Sequence, residues 1–209
     1  DPARPTHLYA GTTTGLMRST DNGATWATIA FAGQSILTLA MASDGSRLYV
    51  IPGNQTWEDP TSANTLTRGG TSLWRMDGGD PASLAQVLDA APFNCGRFFD
   101  LDLHPTDPSR GRLICGDNLL TFESGGTLVT ANASLGGNLG YIRYNPANPD
   151  HLILVGSGGI NWSKAFRWSS NGGASWNSWA NVGGWITALR DHAPCNWTSP
   201  DGYLEAVNP

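Results

Sequence analysis

The feature that most constrains the fold is an eight-residue motif that recurs along the chain. It reads STDNGATW at residues 19–26 and SSNGGASW at residues 169–176, with Asn replacing Asp in the second copy. Weaker copies are TFESGGTL at 121–128 and RMDGGDPA at 75–82. Acidic or amide residues therefore recur at positions 21, 77, 123 and 171, about fifty residues apart, which indicates four similar structural units.

A second pattern repeats in phase with the first. Two short apolar stretches flank a proline or glycine turn at 101–116, 142–156 and 37–53. The first unit has only the second half of this pattern, at 1–11, and YLEAVNP at 203–209 has the character of the missing half. In the third unit we expect strands at 98–103, 112–116, 119–123 and 128–131.

These repeats predict an all-β fold. Four-stranded antiparallel units of this length are typical of β-propellers, so we expect a small propeller of four blades closed by the C-terminal strand. The single domain, 1–209, would divide into blade 1 (203–209 with 1–30), blade 2 (35–89), blade 3 (97–132), blade 4 (140–182) and a connection (183–202). Three alternatives remain open: five blades, one period of a larger propeller, or a terminal strand donated to a neighbouring copy.

The motif Ser/Thr-x-Asp-x-Gly-x-Thr/Ser-Trp resembles the Asp box, or BNR repeat, of sialidase-like propellers. Its residues here are Ser19, Asp21, Gly23, Thr25 and Trp26, and again Ser169, Asn171, Gly173, Ser175 and Trp176. A short acidic side chain accepts hydrogen bonds from nearby backbone N–H groups, and the glycine allows a positive φ. Asn171 keeps the accepting oxygen without the charge, so we expect a structural turn and not a catalytic or metal-binding loop.

Composition excludes several classes of partner. Only 14% of the residues are charged, the net charge is −5, and the 12 Lys and Arg are scattered, which argues against nucleic-acid binding. No run of 18 apolar residues is present, so we expect no membrane span. The start at Asp1 without a methionine indicates a processed or cut chain.

The sequence has three cysteines, and its glycosylation sequons favour an extracellular or cell-surface protein. Of the three cysteines, Cys95 and Cys195 both precede predicted inner strands, so we consider a disulfide between them. Asn-x-Ser/Thr sequons stand at Asn54, Asn132, Asn161 and Asn196.

Candidate chemistry concentrates on the predicted inner strands and loops. Asp100 and Asp102 share one face of a strand, and either could act with Glu205 as the carboxylate pair of a glycoside hydrolase. Arg143 and Tyr144 are candidate binding residues on the next inner strand. Candidate sugar-stacking residues in loops are Trp57, Trp162 and Trp197.

These residues support three functional hypotheses. We expect an extracellular, non-enzymatic module that binds a glycan or a protein, or that takes part in surface assembly. The alternatives are a glycoside hydrolase of the Asp-box superfamily, or a fragment of one, and a self-assembling subunit that donates its C-terminal strand to another copy. No metal-ligand spacing or cofactor motif is found, so no metal or cofactor is expected.

Overall fold

Four antiparallel sheets follow one another along the chain. The computed structural model describes residues 1–55, 68–131, 135, 138–157, 164–177, 180–181, 189–190 and 205–206. Sheet I has three strands: β1 (Leu8–Thr12), β2 (Gly15–Ser19) and β3 (Ala27–Ala30). Sheet II has four strands, β4 (Ile36–Met41), β5 (Arg47–Pro52), β8 (Ser72–Asp77) and β9 (Ala85–Asp89), and a short ribbon, β6 (Asn54–Gln55) with β7 (Arg68–Gly69), extends from it.

The third and fourth sheets repeat the same meander. Sheet III contains β10 (Phe98–Leu103), β11 (Gly111–Cys115), β12 (Asn118–Glu123) and β13 (Leu128–Ala131). Sheet IV contains β14 (Asn138–Asn145), β15 (Asn148–Ser157), β16 (Lys164–Ser169) and β17 (Ala180–Asn181). The strands of sheet III agree with the predicted ones to within one residue, because glycine and proline turns mark their ends clearly in the sequence.

A shared irregularity confirms the internal repeat. The first strand of each four-stranded sheet has a register shift at its second or third residue. The shifts are centred on Leu37, Phe99 and Gly140. Such bulges increase the local twist of a strand. Their recurrence shows that β4, β10 and β14 are equivalent strands, which we call the inner strands.

Sheets II and III each pack one face against the sheet before and the other face against the sheet after. We call these the backward face and the forward face. Along β5, Leu48 and Val50 pack backward with Leu16 of sheet I, whereas Tyr49 and Ile51 pack forward with sheet III. Successive side chains of a strand point to opposite faces of the sheet. Because both faces of β5 are covered, its side chains are apolar on both faces. The forward face of sheet III meets sheet IV in the same way, through Ile114, Leu119, Ile142, Leu152 and Leu154.

Arginines of sheets I, II and III each contact a turn of the following sheet. The accepting turns follow the third strand of the sheet, where the eight-residue motif or its weaker copies lie. The contacts run from Arg18 Nη1 to the Gly79 carbonyl at 2.9 Å, from Arg75 Nη1 to the Gly125 carbonyl at 2.8 Å, and from Arg112 Nη2 to the Gly172 carbonyl. Three successive junctions therefore share one polar contact beside an apolar core.

The motif at residues 19–26 forms a turn closed by its own side chains. Asp21 accepts hydrogen bonds from the Thr25 N–H at 2.8 Å and the Thr25 hydroxyl at 2.6 Å, and Ser19 Oγ accepts one from the Gly23 N–H at 2.8 Å. These bonds, above all the one from the Thr25 hydroxyl, hold the pKa of Asp21 down to about 2. Gly23 has a φ of 89°, which a side chain would make unfavourable.

The copy at residues 169–176 is closed by the same bonds. Asn171 Oδ1 accepts from the Ser175 N–H at 2.9 Å, and Ser169 Oγ accepts from the Gly173 N–H at 2.9 Å. The amide also donates to the Ser175 hydroxyl at 2.8 Å, which reverses the direction of the equivalent bond at Asp21. An amide thus replaces the carboxylate without loss of a contact.

Closure by the C-terminal segment, as expected from the sequence, is not seen. The described part of that segment, β19 (Glu205–Ala206), pairs with β18 (Leu189–Arg190) and not with β1. Among the described strands, none pairs with the free edge of β1, where an inner strand would lie, so sheet I has three strands and the four sheets are not closed. The half repeats at the two termini correctly predicted that β1 lacks an inner neighbour within residues 1–30. They did not predict that β19 pairs with β18.

The disulfide differs from the one considered from the sequence. Cys95 bonds to Cys115, with their Cα atoms 5.3 Å apart, so the pairing of Cys95 with Cys195 is wrong in this structure. Cys115 ends β11 and pairs in register with Phe98, which brings it next to the segment that precedes β10. Cys195 itself lies outside the described residues.

Candidate functional site

A polar cleft opens where sheets II and III begin. Its volume is about 380 Å³, and it lies between the start of β4, the end of β5 and the start of β8. Five side chains that can form hydrogen bonds line it: Gln34, Ser35, Thr71, Ser72 and Arg97. Within the described residues, the Arg97 guanidinium has no hydrogen-bond or ion-pair partner, so it can be offered to a ligand.

The backbone under the cleft is held firmly. The backbone N–H of Gly70 donates to the Phe98 carbonyl at 2.9 Å, and the Phe98 N–H donates to the Gly70 carbonyl at 2.7 Å. These two bonds join the segment before β8 to the first residue of β10. The Gly53 N–H donates to the Ser35 carbonyl at 2.9 Å. A Cβ atom at Gly53 or Gly70 would collide with the neighbouring backbone, so glycine is required for this close approach.

A second cluster contains four of the residues singled out from the sequence. Asp100 Oδ2 accepts from the Ile142 N–H at 3.0 Å and from Arg143 Nη1 at 2.6 Å, and Asp102 Oδ2 accepts from the Tyr144 N–H at 2.7 Å. Both amides belong to the free edge of β14. The two carboxylates therefore satisfy edge N–H groups that a further strand would otherwise pair.

The two carboxyls of this cluster differ in their surroundings. Asp100 is 2% exposed and contacts the guanidinium of Arg143 directly, whereas Asp102 is partly buried and 2.7 Å from the Tyr144 N–H. Burial raises the pKa of Asp102 to about 7, and the charge of Asp100 adds to this, against the effects of Arg143 and the Tyr144 N–H. Asp102 can therefore exchange a proton near neutral pH.

This titration predicts a pH-dependent stability. The pKa of Asp102 in the folded chain, about 7, lies above its ordinary value of 3.8, so between these pH values the folded state holds a proton that the unfolded state has released. The contribution of Asp102 to the free energy of unfolding should therefore fall as the pH rises from about 4 to about 7, and level off above that. Urea unfolding of the wild type and Asp102→Asn at stepped pH measures it.

The comparison isolates Asp102 from other titrating groups. Asparagine keeps an oxygen that can accept from the Tyr144 N–H but cannot titrate. We expect the stability of Asp102→Asn relative to the wild type to increase across this pH range. A difference that stays constant with pH would show that Asp102 keeps an ordinary pKa.

Other candidate residues are not brought together with this cluster. Only the backbone of Glu205 is described, in β19, and β19 pairs with β18. Asn54 is likewise described by its backbone alone, in β6. The candidates Trp57, Trp162, Trp197, Asn132, Asn161 and Asn196 lie outside the described residues. The ribbon of β6 and β7 lies next to Gly53 and Gly69, which line the cleft.

Sequence reasoning missed the cleft residues. Gln34, Ser35, Thr71, Ser72 and Arg97 have no motif, and the cleft arises only when two sheets meet. The one signal was local: glycines at 33, 53, 69 and 70 stand beside strand ends, where close backbone approach leaves space for a ligand.

Two absences apply to the part of the chain that the structure describes. No helix there has both the length and the apolar character needed to cross a membrane. In the same residues, no three His, Cys, Asp or Glu side chains are grouped so that they could hold a metal ion.

Comparison with known proteins supports a relation to β-propellers. No model of a known protein family matches the chain, and no curated protein matches it. A GH74 enzyme of Niastella koreensis superimposes with a TM-score of 0.59 and 16% identity, over 82% of this chain and 28% of the enzyme. The GH74 xyloglucanase of Xanthomonas campestris gives a TM-score of 0.61 and 17% identity, over 87% and 29%.

A third similar structure comes from a complex of two proteins. A chain of the nidogen/laminin complex gives a TM-score of 0.62 and 14% identity, over 88% of this chain and 65% of its own length. The chain spans about a quarter of the length of the GH74 enzymes. At these identities the likeness concerns the fold alone, which is all-β and propeller-like.

Proposed function

We propose that the chain is an extracellular propeller module, built from Asp-box units, that binds a glycan in the polar cleft without cleaving it. The four sheets would be its blades. The observation that carries the proposal is the cleft at residues 33–35, 52–53, 69–72 and 97, which offers a guanidinium, an amide and three hydroxyls to a ligand. Neutral sugars are recognised by groups of this kind, fixed on a rigid frame.

The surroundings of two of the three candidate catalytic carboxyls, Asp100 and Asp102, support a non-enzymatic role. A nucleophile must reach the substrate, but Asp100 is almost fully buried and its Oδ2 oxygen already binds a backbone N–H and a guanidinium. Asp102 also bonds to the backbone of β14. Both side chains join sheets III and IV, which explains their presence without catalysis.

An extracellular location is supported by the disulfide. Cys95 and Cys115 are bonded, and disulfides persist mainly in oxidising compartments. The four sequons agree with this location, and so does the absence of a cluster of basic residues in the sequence.

Binding is tested with a glycan array that includes xyloglucan oligosaccharides, since one structural neighbour is a xyloglucanase. The best probe is then titrated by calorimetry. We expect Arg97→Ala to weaken binding roughly ten-fold or more, because a hydrogen bond from a charged donor contributes about 1.5–3 kcal/mol.

Arg110→Ala is the control, since Arg110 pairs with Glu123 at 3.2 Å and does not line the cleft. Equal loss in both variants, or no bound glycan, would contradict the proposal.

The second candidate function is glycoside hydrolysis. It is favoured by the GH74 neighbours and by Asp102, whose pKa of about 7 suits a general acid. Release of new reducing ends from xyloglucan by the wild type, lost in Asp102→Asn with binding retained, would establish this function and overturn the non-enzymatic one.

A further inference from the structure

One edge of β1 has no neighbouring strand among the described residues, and β1 is more exposed than its equivalents. Every residue of β1 is exposed or half-buried, and Leu8 is 37% exposed. The matching stretches of the other sheets, at 48–51, 111–115 and 152–156, are buried throughout. In those sheets an inner strand pairs with the edge that β1 leaves open. The free edge of β1 is therefore accessible.

A hydrogen bond that recurs in all four sheets defines which residues are equivalent. The turn at the eight-residue motif, or at its weaker copies, donates an N–H to a carbonyl near the start of the strand that corresponds to β1. These carbonyls belong to Thr6, Ser46, Ser109 and Asp150. Three residues beyond them lies one cross-strand row, which holds Tyr9, Tyr49, Arg112 and Ile153.

The backbone groups of Tyr9 and Gly11 point away from β2 at the free edge. Their equivalents in sheet II, Tyr49 and Ile51, pair with the inner strand β4. Hydrogen bonds of an antiparallel ladder alternate along a strand, so Tyr9 and Gly11 each offer one N–H and one carbonyl on this side. The free edge of β1 can therefore form a ladder with one further antiparallel strand.

β4 forms the second wall of the same space. We call the space between the free edge of Leu8–Thr12 and the strand Ile36–Met41 the edge slot. All residues of β4 are half-buried, whereas most of β10 is buried. A Cβ atom at Gly11 would lie 2.7 Å from the side chain of Ile36, so β1 and β4 approach closely at one end of the edge slot. An added inner strand would lie beside β4, as β4 lies beside β10 and β10 beside β14.

Two backbone donors of β4 face the edge slot. The Ala42 N–H donates to the Arg47 carbonyl of β5 at 2.8 Å, so the ladder alternates from there. By this alternation the N–H groups of Leu39 and Met41 point away from β5. Among the described residues, neither N–H has an acceptor. An occupant that excludes water from the edge slot therefore has to accept a hydrogen bond from each of them.

The junction of sheets III and IV shows how an inner strand binds such donors. Ile142 and Tyr144 of β14 are the equivalents of the two donors of β4. Their N–H groups donate to the carboxylates of Asp100 and Asp102, at 3.0 and 2.7 Å. Carboxylates two residues apart in a strand therefore match the spacing of these N–H groups, and a charged acceptor forms a stronger hydrogen bond than a neutral one.

The residues that alternate with these positions are large and mostly apolar in every inner strand. They lie opposite the equivalents of Leu8 and Ala10, and they are Met41, Leu39, Leu103, Leu101, Tyr144 and Ile142. An occupant with apolar side chains at the same places would cover Leu8, which is exposed without it.

We propose that the edge slot binds an extended peptide of a partner protein in which acidic residues alternate with large apolar residues. The peptide adds the inner strand of sheet I, pairs with Tyr9 and Gly11 of β1, and places two carboxylates on the donors of β4. Residues 203–209 fit this pattern less well, because they contain one acidic residue, Glu205, and β19 pairs with β18. This binding site is separate from the cleft and goes beyond the proposed glycan binding.

The test is an amide-shift titration of the isotope-labelled full chain with the synthetic peptide RFFDLDLH, which copies residues 97–104. We expect saturable shifts that are largest at Tyr9, Gly11, Leu39 and Met41. The peptide with both aspartates replaced by alanine should bind at least ten-fold more weakly, since it lacks both charged acceptors. N-methylation of the two aspartate nitrogens should abolish binding, because those N–H groups pair with β1.

A pair of matched variants places the peptide on the chain. Leu8→Ser should weaken binding of RFFDLDLH, whereas Leu128→Ser, at an exposed leucine on β13, should bind like the wild type. The absence of saturable shifts, or equal binding of the alanine peptide, would overturn the proposal. So would tighter binding of a peptide that copies residues 203–209, because the occupant would then be the last strand of another copy. Glycan binding is measured through Arg97, so the two proposals can fail independently.

Discussion

Replacing Asp100 by alanine should lower the free energy of unfolding by about 3–5 kcal/mol, the largest effect that we expect from a single polar substitution. Asp100 is 2% exposed and is the partner of Arg143 and of the Ile142 N–H. Without the Asp100 carboxylate, the largely covered Arg143 guanidinium loses its negatively charged partner and the buried Ile142 N–H loses its hydrogen-bond acceptor. Alanine can replace neither interaction.

The control for Asp100→Ala is Asp117→Ala, at an exposed turn between β11 and β12. There we expect a change within about 0.5 kcal/mol. Urea unfolding at neutral pH, followed by tryptophan fluorescence, measures both. If Asp100→Ala unfolds at the wild-type midpoint, the carboxylate does not hold sheets III and IV together, and a functional role for it has to be reconsidered.

Loss of the Cys95–Cys115 disulfide should have the second largest effect. The bond closes a loop with a sequence separation of 20, and a loop of this length restricts the unfolded chain enough to stabilise the fold by about 3 kcal/mol. The double variant Cys95→Ser with Cys115→Ser should therefore unfold at lower urea concentration than the wild type.

The third cysteine supplies a discriminating control. Cys195→Ser should leave the free energy of unfolding nearly unchanged, because the bond observed here does not use it. Free-thiol counting on the denatured wild type should find one thiol. If Cys195→Ser instead destabilises the chain as much as the double variant does, then Cys95 pairs with Cys195 in solution.

The fold was largely predictable because its signals are local. Turn residues and alternating apolar positions mark the strands of sheet III, and the recurring Ser19 and Ser169 motifs mark the units. Strand pairing at the termini was not predictable from such signals. The sequence of the last strand fits the missing inner strand of sheet I, but β19 pairs with β18, and only tertiary geometry distinguishes the two partners.

The candidate site was predictable in part. Alternation placed Asp100 and Asp102 on one face, and this face does meet Arg143 and Tyr144. Their bonding to the free edge of β14 could not be foreseen, since it depends on how two sheets lie against each other. Arg97 and the cleft share this origin. They arise at the junction of sheets II and III, where no spacing in the sequence records the contact.

The arginine contacts between sheets were also invisible in the sequence. Arg18, Arg75 and Arg112 stand at different offsets from their motifs, and Arg112 is on a different strand of its sheet from the other two. Their common row appears only in the cross-strand register. A repeat can therefore conserve the position of a charge in space while the sequence position that supplies it changes.

The most direct test of the proposed function is a titration of the isotope-labelled chain with its best-binding oligosaccharide, followed through backbone amide chemical shifts. Binding in the cleft predicts that the largest shifts occur at residues 33–35, 69–72 and 97, that Asp100 and Asp102 change little, and that the oligosaccharide stays intact. Largest shifts at Asp102 and Tyr144, together with cleavage of the oligosaccharide, would contradict a non-enzymatic module that binds at the cleft.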